Sequence, residues 1–270
     1  MANIHKKEKE LFNKWLSKSM KLGGGKNLAP DGLLYRGNLV RYRDPEDDNY
    51  YWEREEGNEE DIWYNSSKRL LIITKDLNNV DEKGQISEAW DIRVETGLKN
   101  DKGSVDFESC VCFYKRLRMW VYGLLHMDVE GNYPAYENAR NMENSGYFYL
   151  HAPIARINCK KQCGYSSISD SKLQSYLDKY RELLIENLTI YNRADIILCC
   201  AGTGIIKNFI KDNYLKDLIE VPNTNEWIYY SPSTDKTVIN SWHPSDRKSY
   251  KVVYHNMMNA YSYFLKNKNY

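Results

Sequence analysis

The chain has 270 residues, 42% of them hydrophobic, which is enough for one sizeable core. A formal charge of +1 excludes a protein that coats nucleic acid with its whole surface, because such binding rests on many phosphate contacts. No run of about 18 apolar residues occurs and the basic start, Met1 to Lys7, lacks the apolar segment of a signal peptide, so no membrane partner and a cytoplasmic location are expected.

In chain order, Leu11, Phe12, Trp15, Leu16 and Met20 recur at helical spacing between Lys6 and Lys21, and Gly23-Gly24-Gly25 ends that amphipathic helix. The polar stretch Arg41 to Glu60 contains Tyr50, Tyr51 and Trp52 and reads as an ordered excursion, not a tether. The expectation is one domain, 1–270, with about 1–64 a helical or irregular extension packed on a 65–270 core. Arg69 to Thr74 is the first strand, rich in Leu and Ile without polar alternation, as suits a strand covered on both faces.

A loop with Gly84, Gly97 and Gly103 leads to a helix over Phe107 to Met127, in which Met119 and Trp120 are packing residues. Tyr147 to Ile157 reads as the second strand and Ser171 to Asn187 as a helix. Ala194 to Cys200 is the third strand. Gly202 and Gly204 permit a sharp turn from it into a helix over Ile205 to Tyr214. Leu218 to Val221 and Trp227 to Tyr230 read as short strands or a hairpin, Thr237 to Ser241 as the fourth strand, and Lys251 to Lys266 as the closing helix.

Strands alternating with helices imply an α/β fold, a three-layer α/β/α sandwich around a central four-stranded parallel sheet. Ligands of such sheets bind outside the carboxyl ends of the strands, which brings Asp76, Asn158, Gly202 and His243 to one rim. A carboxylate, a carboxamide and an imidazole there supply a base or charge stabiliser, a two-faced hydrogen-bonding reader and a donor to a developing anion. Lys75, Arg156, Lys160, Lys161, Arg247 and Lys248 lie in or beside the segments that follow the strands, so folding could gather them into a local basic rim.

Other motifs carry less. Ala201-Gly202-Thr203-Gly204 matches neither common phosphate-loop pattern and reads as a tight turn. Of the six cysteines, Cys110, Cys112, Cys159 and Cys163 match no zinc spacing, while Cys199 and Cys200 are strand residues with reduced thiols. His151 falls within the expected second strand, and His5, His126 and His255 lie on helices without neighbouring ligands. No metal and no cofactor are expected.

Thr74-Lys75-Asp76-Leu77-Asn78, Ile154 to Lys161, Asp195 to Gly204 and Asn240-Ser241-Trp242-His243-Pro244-Ser245, in that order, resemble the uracil-DNA glycosylase superfamily over about residues 65 to 260. Gly84 to Trp90 is similar to the family's loop that supplies an aromatic platform. The resemblance implies a uracil-DNA glycosylase-like fold and catalytic roles for Asp76 and His243. It implies that Asn158 reads the base and Trp90 stacks on it, with Asn78, Lys75, Ser245 and Arg247 as further substrate-binding residues.

The implied function is hydrolysis of the N-glycosidic bond of uracil or another deaminated or damaged base in DNA, by a monomer that binds single- or double-stranded DNA through its basic rim. Thr74 stands where the family has glycine and Leu77 where it has proline, and residues 246–250 lack the family's leucine wedge. Two other readings therefore stand beside the first: a catalytically silent nucleic-acid-binding member of the fold, and an enzyme acting on a free nucleoside or small glycoside.

Overall fold

Four apolar runs form the middle of one sheet in the computed structural model, which describes residues 3–43, 50–79, 83–94, 112–165 and 167–268. Leu70–Thr74 (β4), Ile154–Asn158 (β5), Ile196–Cys200 (β6) and Lys236–Ser241 (β9) pair in parallel in the order β5-β4-β6-β9. Every residue of β4, β5 and β6 is buried, which is why their sequences show no polar alternation.

The pleat still sorts the side chains by parity. Leu70, Ile72, Ile154 and Leu198 enter one core with Cys112–His126 (α3), Tyr136–Arg140 (α4), Met142–Tyr149 (α5) and Tyr250–Lys266 (α9). Leu71, Ile73, Ala155, Ile157 and Cys199 enter the other, against Ile4–Lys21 (α1), Asp170–Lys179 (α6), Arg181–Ile190 (α7) and Ile205–Asn213 (α8). Helices thus cover both faces, and among the described residues none is long and apolar enough to cross a membrane.

The sheet has seven strands, not the four expected. Gly32–Leu33 (β1) adds antiparallel to β5 at one edge, while Ile228–Ser231 (β8) and Ile219–Glu220 (β7) add antiparallel beyond β9. β7 and β8 are the hairpin expected over 218–221 and 227–230, whereas β1, two residues long, is too short for any periodicity to announce it. A separate two-stranded sheet, Leu39–Arg43 (β2) with Tyr50–Arg54 (β3), and the short helix Glu59–Asn65 (α2) occupy part of the stretch from Arg41 to Glu60.

Two further expectations are corrected. Residues 147–149 close helix α5, because Asn141 caps its start by accepting from the Glu143 and Asn144 amides, and β5 begins only after Pro153, which has no N–H to give a ladder. His151 is therefore exposed in the intervening turn and not in a strand, its ring donating to the Tyr147 carbonyl at 2.8 Å. The helix expected over 171–187 breaks at Tyr180, whose buried ring stacks on Trp15 (centroids 4.8 Å apart) and Tyr176 (4.4 Å). Gly97, Gly103, Cys110 and the expected helical start at 107–111 lie outside the described residues.

The amino-terminal segment is built into the core. Glu8, buried on α1, accepts at Oε1 from the Leu33 amide (2.8 Å) and the Tyr191 hydroxyl (2.6 Å), and at Oε2 from Arg93 (2.9 Å) and His5 (3.2 Å). His5 also reaches Glu59 at 2.7 Å, so it is a clamp between two carboxylates and not an isolated helix histidine. Gly32 completes the arrangement: at φ +152°, any side chain there would collide with the Glu8 carboxylate.

Candidate functional site

The register of the parallel strands lines up their carboxyl ends: Thr74 lies opposite Asn158 on one side and Cys200 on the other, and Cys200 opposite Ser241. Neighbouring strands lie about 4.8 Å apart, so the ends of β4 and β9 are separated by about 10 Å, with only the turn after β6 between them. That turn is small because it must be. Gly202 takes φ +74° and donates to the Ser241 carbonyl at 3.0 Å, which bends the chain away from the gap.

The result is a cleft of about 680 Å³ whose lining includes Asp76, Asn78, Trp90, Asn158, His243 and Ser245. Six of the eight site residues read from the sequence are thus brought together. Lys75 and Arg247 do not line the cleft. Lys75 pairs with Asp170 at 3.3 Å, and Arg247 is exposed on the loop after β9.

Asp76 is fixed by two loops zipped to each other. The Cys159 and Lys160 amides donate to the Thr74 and Lys75 carbonyls, and the Gly164 amide to the Leu77 carbonyl. Lys160 then reaches Asp76 Oδ2 at 3.1 Å while also donating to the Gln162 carbonyl at 2.7 Å. Gly164 lets the loops close this far, since a Cβ there would sit 2.4 Å from Asp76 Oδ2. Asp76 Oδ1 has no hydrogen bond among the described residues and remains the face available to a ligand.

Asn158 is the last residue of β5 and is buried. Its amide N–H donates to Asp31 Oδ2 at 2.7 Å, and its side-chain Oδ1 accepts from the Thr74 hydroxyl. Thr74 therefore orients the carboxamide and leaves Nδ2 as its open donor. Asp31 is itself held by the buried Lys161 ammonium, which also donates to Asn187 Oδ1 at 2.8 Å.

His243 receives at Nδ1 the Ser245 amide proton, 3.2 Å away, so the neutral ring carries its own proton on Nε2. Burial, then the positive charges of Lys75 and Arg116, pull its pKa down to about 4. The imidazole is neutral at physiological pH, and its Nε2–H is an uncommitted donor in the cleft. Arg116, buried on α3, steadies the loop by donating to the Asp246 carbonyl at 2.6 Å and the Lys248 carbonyl at 2.7 Å, its guanidinium lying 4.5 Å from the Tyr250 ring.

Aromatic surface completes the site. Trp90 and Phe113 line the cleft, with Phe113 5.8 Å from the His243 ring. Arg156 sits in the middle of β5, buried, with its guanidinium 5.5 Å from the rings of both Phe113 and Tyr114 and one N–H donating to the Ile92 carbonyl at 3.3 Å. Ile92, Cys112, Phe113, Tyr114 and Arg156 are among the cleft residues that sequence reasoning did not assign to it. An arginine within the run Ile154-Ala155-Arg156-Ile157 was the one visible signal.

The basic residues are not gathered into one rim. Lys161 and Arg156 are buried, and Lys75 and Lys160 are paired with Asp170 and Asp76, whereas Arg247 and Lys248 are exposed on the opposite side of the cleft. Among the described residues no three His, Cys, Asp or Glu side chains are grouped to hold a metal ion. A second hollow of about 520 Å³ beside α1 is bordered by His5, Glu8, Arg93 and Asp31, side chains already engaged in holding the fold. No protein-family model matches the chain, and no curated protein is similar to it.

Proposed function

We propose that the chain is a DNA glycosylase of the uracil-DNA glycosylase type, hydrolysing the bond between a deoxyribose and a uracil or another deaminated or damaged base. The observation that carries the reading is the neutral, Nε2-protonated His243 sharing one cleft with Asp76 and Asn158. Departure of a base from its sugar builds negative charge on the base and positive charge on the sugar. A preorganised neutral donor stabilises the first, and a carboxylate stabilises the second or orients the attacking water.

In this reading the target nucleotide leaves its stack, at a cost of a few kcal/mol, and its base enters between Trp90 and Phe113. The Asn158 carboxamide, presenting Nδ2, hydrogen-bonds a carbonyl on the base edge, and His243 Nε2–H meets the carbonyl that gains charge as the bond breaks. Asp76 Oδ1 faces the sugar. The test is incubation with single- and double-stranded oligonucleotides bearing uracil, hypoxanthine, xanthine or mismatched thymine, followed by alkaline cleavage. Strand scission at one of these bases is expected, and none at any of them would remove the assignment.

A second reading has its own observation. The ion pair from Lys160 occupies one oxygen of Asp76, which suits a member of the fold that binds nucleic acid without cutting it. Intact oligonucleotides bound equally well by the wild type and by Asp76→Asn would favour that reading.

A further inference from the structure

The two sides of the cleft mouth differ in how their cations are employed. On the side of β4 and β5, Lys75 and Lys160 are neutralised by Asp170 and Asp76. On the side of α3 and the loop after β9, Arg247, Lys115 and Arg140 have no carboxylate partner among the described residues, and Lys248 instead lies 4.2 Å from the Trp242 ring. Elsewhere some surface lysines are paired, as Lys14 with Glu186 and Lys18 with Glu182, while others such as Lys172 and Lys179 have no carboxylate partner among the described residues, so it is the grouping of Lys115 and Arg140 with aromatic rings that sets this side apart.

Lys115 and Arg140 border a third hollow, of about 380 Å³, lined also by Arg118, Met119, Tyr136 and Tyr250 and, among the described residues, by no acid. It adjoins the cleft directly. Tyr250 neighbours Cys112, which lines the cleft, and Lys115 follows Cys112 by one turn of α3, about 5 Å along the axis. Two carboxylates of the neighbouring elements are engaged elsewhere: Glu137 with Lys251 at 3.2 Å, and Asp246 with the Lys248 amide at 2.8 Å.

We infer that this hollow is a track for single-stranded nucleic acid, taking the nucleotides on one side of the base held in the cleft. The Lys115 and Arg140 cations meet phosphates, and the rings of Tyr136 and Tyr250, each with a cation over one face (Lys251 at 5.6 Å and Arg116 at 4.5 Å), offer the other face to unpaired bases, the combination of charge and aromatic faces by which single strands are gripped without regard to sequence. The inference rests on the glycosylase reading for what occupies the cleft, but not for the binding of the strand itself.

The test measures binding of a fluorescein-labelled thymidine oligomer by anisotropy across a salt series. The double charge reversal K115E/R140E is expected to weaken binding at least tenfold and to make the dependence of log affinity on log salt shallower by about 1.4, about 0.7 for each lost phosphate contact on a single strand. The reversal K172E/K179E on α6 should leave both unchanged, and K115Q/R140Q, which is milder should the reversal impair folding, should give the same loss at smaller size.

Unchanged affinity in K115Q/R140Q and K115E/R140E overturns the track, as does displacement of the oligomer by polyglutamate as effectively as by unlabelled DNA, which would mark a surface for acidic polypeptides. The two readings fail separately. A wild type that cuts no base yet binds the oligomer through Lys115 and Arg140 keeps the track and loses the glycosylase. One that excises a base from long oligomers equally well with K115E/R140E keeps the glycosylase and loses the track.

Discussion

The network around Glu8 and the cleft around His243 are made from similar side chains, yet they differ in how far those side chains are used up. Both oxygens of Glu8 are taken, by an amide, a hydroxyl, a guanidinium and an imidazole, and His5 is held at both ring nitrogens. In the cleft, one half of each polar group is engaged in holding its position: His243 by Nδ1, Asn158 by Oδ1, Asp76 by Oδ2. The other half has no partner among the described residues. Buried polar groups are almost always satisfied, so half-satisfied groups converging on a cavity mark the place where a ligand completes the set, and fully satisfied ones mark the frame.

That contrast breaks first at Glu8. Replacing it with Ala leaves the buried Leu33 amide and Tyr191 hydroxyl without an acceptor, while Arg93 keeps Asp91 and His5 keeps Glu59, so a loss of about 2–5 kcal/mol in chemical denaturation is expected. His243→Ala should behave in the opposite way. A donor aimed at the departing base is worth about 2.7–4 kcal/mol of barrier, so excision should slow by about two to three orders of magnitude while the melting transition stays in place. A Glu8 variant as stable as wild type, or a His243 variant with full activity, would dissolve the distinction between frame and site.

Arg116 lies between the two classes, since it touches no ligand yet sets the loop that carries His243. Arg116→Met removes two charge-assisted hydrogen bonds to the loop carbonyls, and about tenfold slower excision with unaltered oligomer affinity is expected. Thr74→Val is subtler. It frees the Asn158 carboxamide to rotate, and a few-fold loss of discrimination between uracil and cytosine should appear in competition assays.

The two histidines sharpen the comparison through pH. Burial alone would lower His5, but the hydrogen bonds to Glu59 and Glu8 override it and raise its pKa to about 10. Its stabilising contribution is complete below the unfolded value of about 6.5 and is lost as pH rises towards 10, so the melting temperature should fall over that interval, and His5→Gln should flatten the decline. His243 is shifted the other way, to about 4, so excision should keep its neutral donor down to mildly acidic pH, with an acid limb near 4 and not near 6.5.

How much of this was legible in the sequence follows from range. The four parallel strands were readable because burial on both faces removes the polar alternation, and each ends in residues whose chemistry does not suit a core. The convergence of Asp76, Asn158 and His243 followed from topology alone. Helix α5 was hidden because Tyr147 to Ile157 is nearly continuous in hydrophobicity, and only the cap at Asn141 and the stop at Pro153 divide it. The Glu8 network was illegible, since Glu8 and Tyr191 lie 183 positions apart and nothing local marks their meeting.

Asp31 has a consequence for any attempt to trim the molecule. Its carboxylate belongs to the segment ahead of the first long strand, yet it grips the backbone of Asn158 and neutralises Lys161 deep in the interior. A truncated version beginning at Leu70 would bury the Lys161 ammonium with no counter-charge and lose the anchor of the Asn158 backbone amide. The segment that carries Asp31 is thus required by a cleft whose lining begins more than forty positions further along the chain.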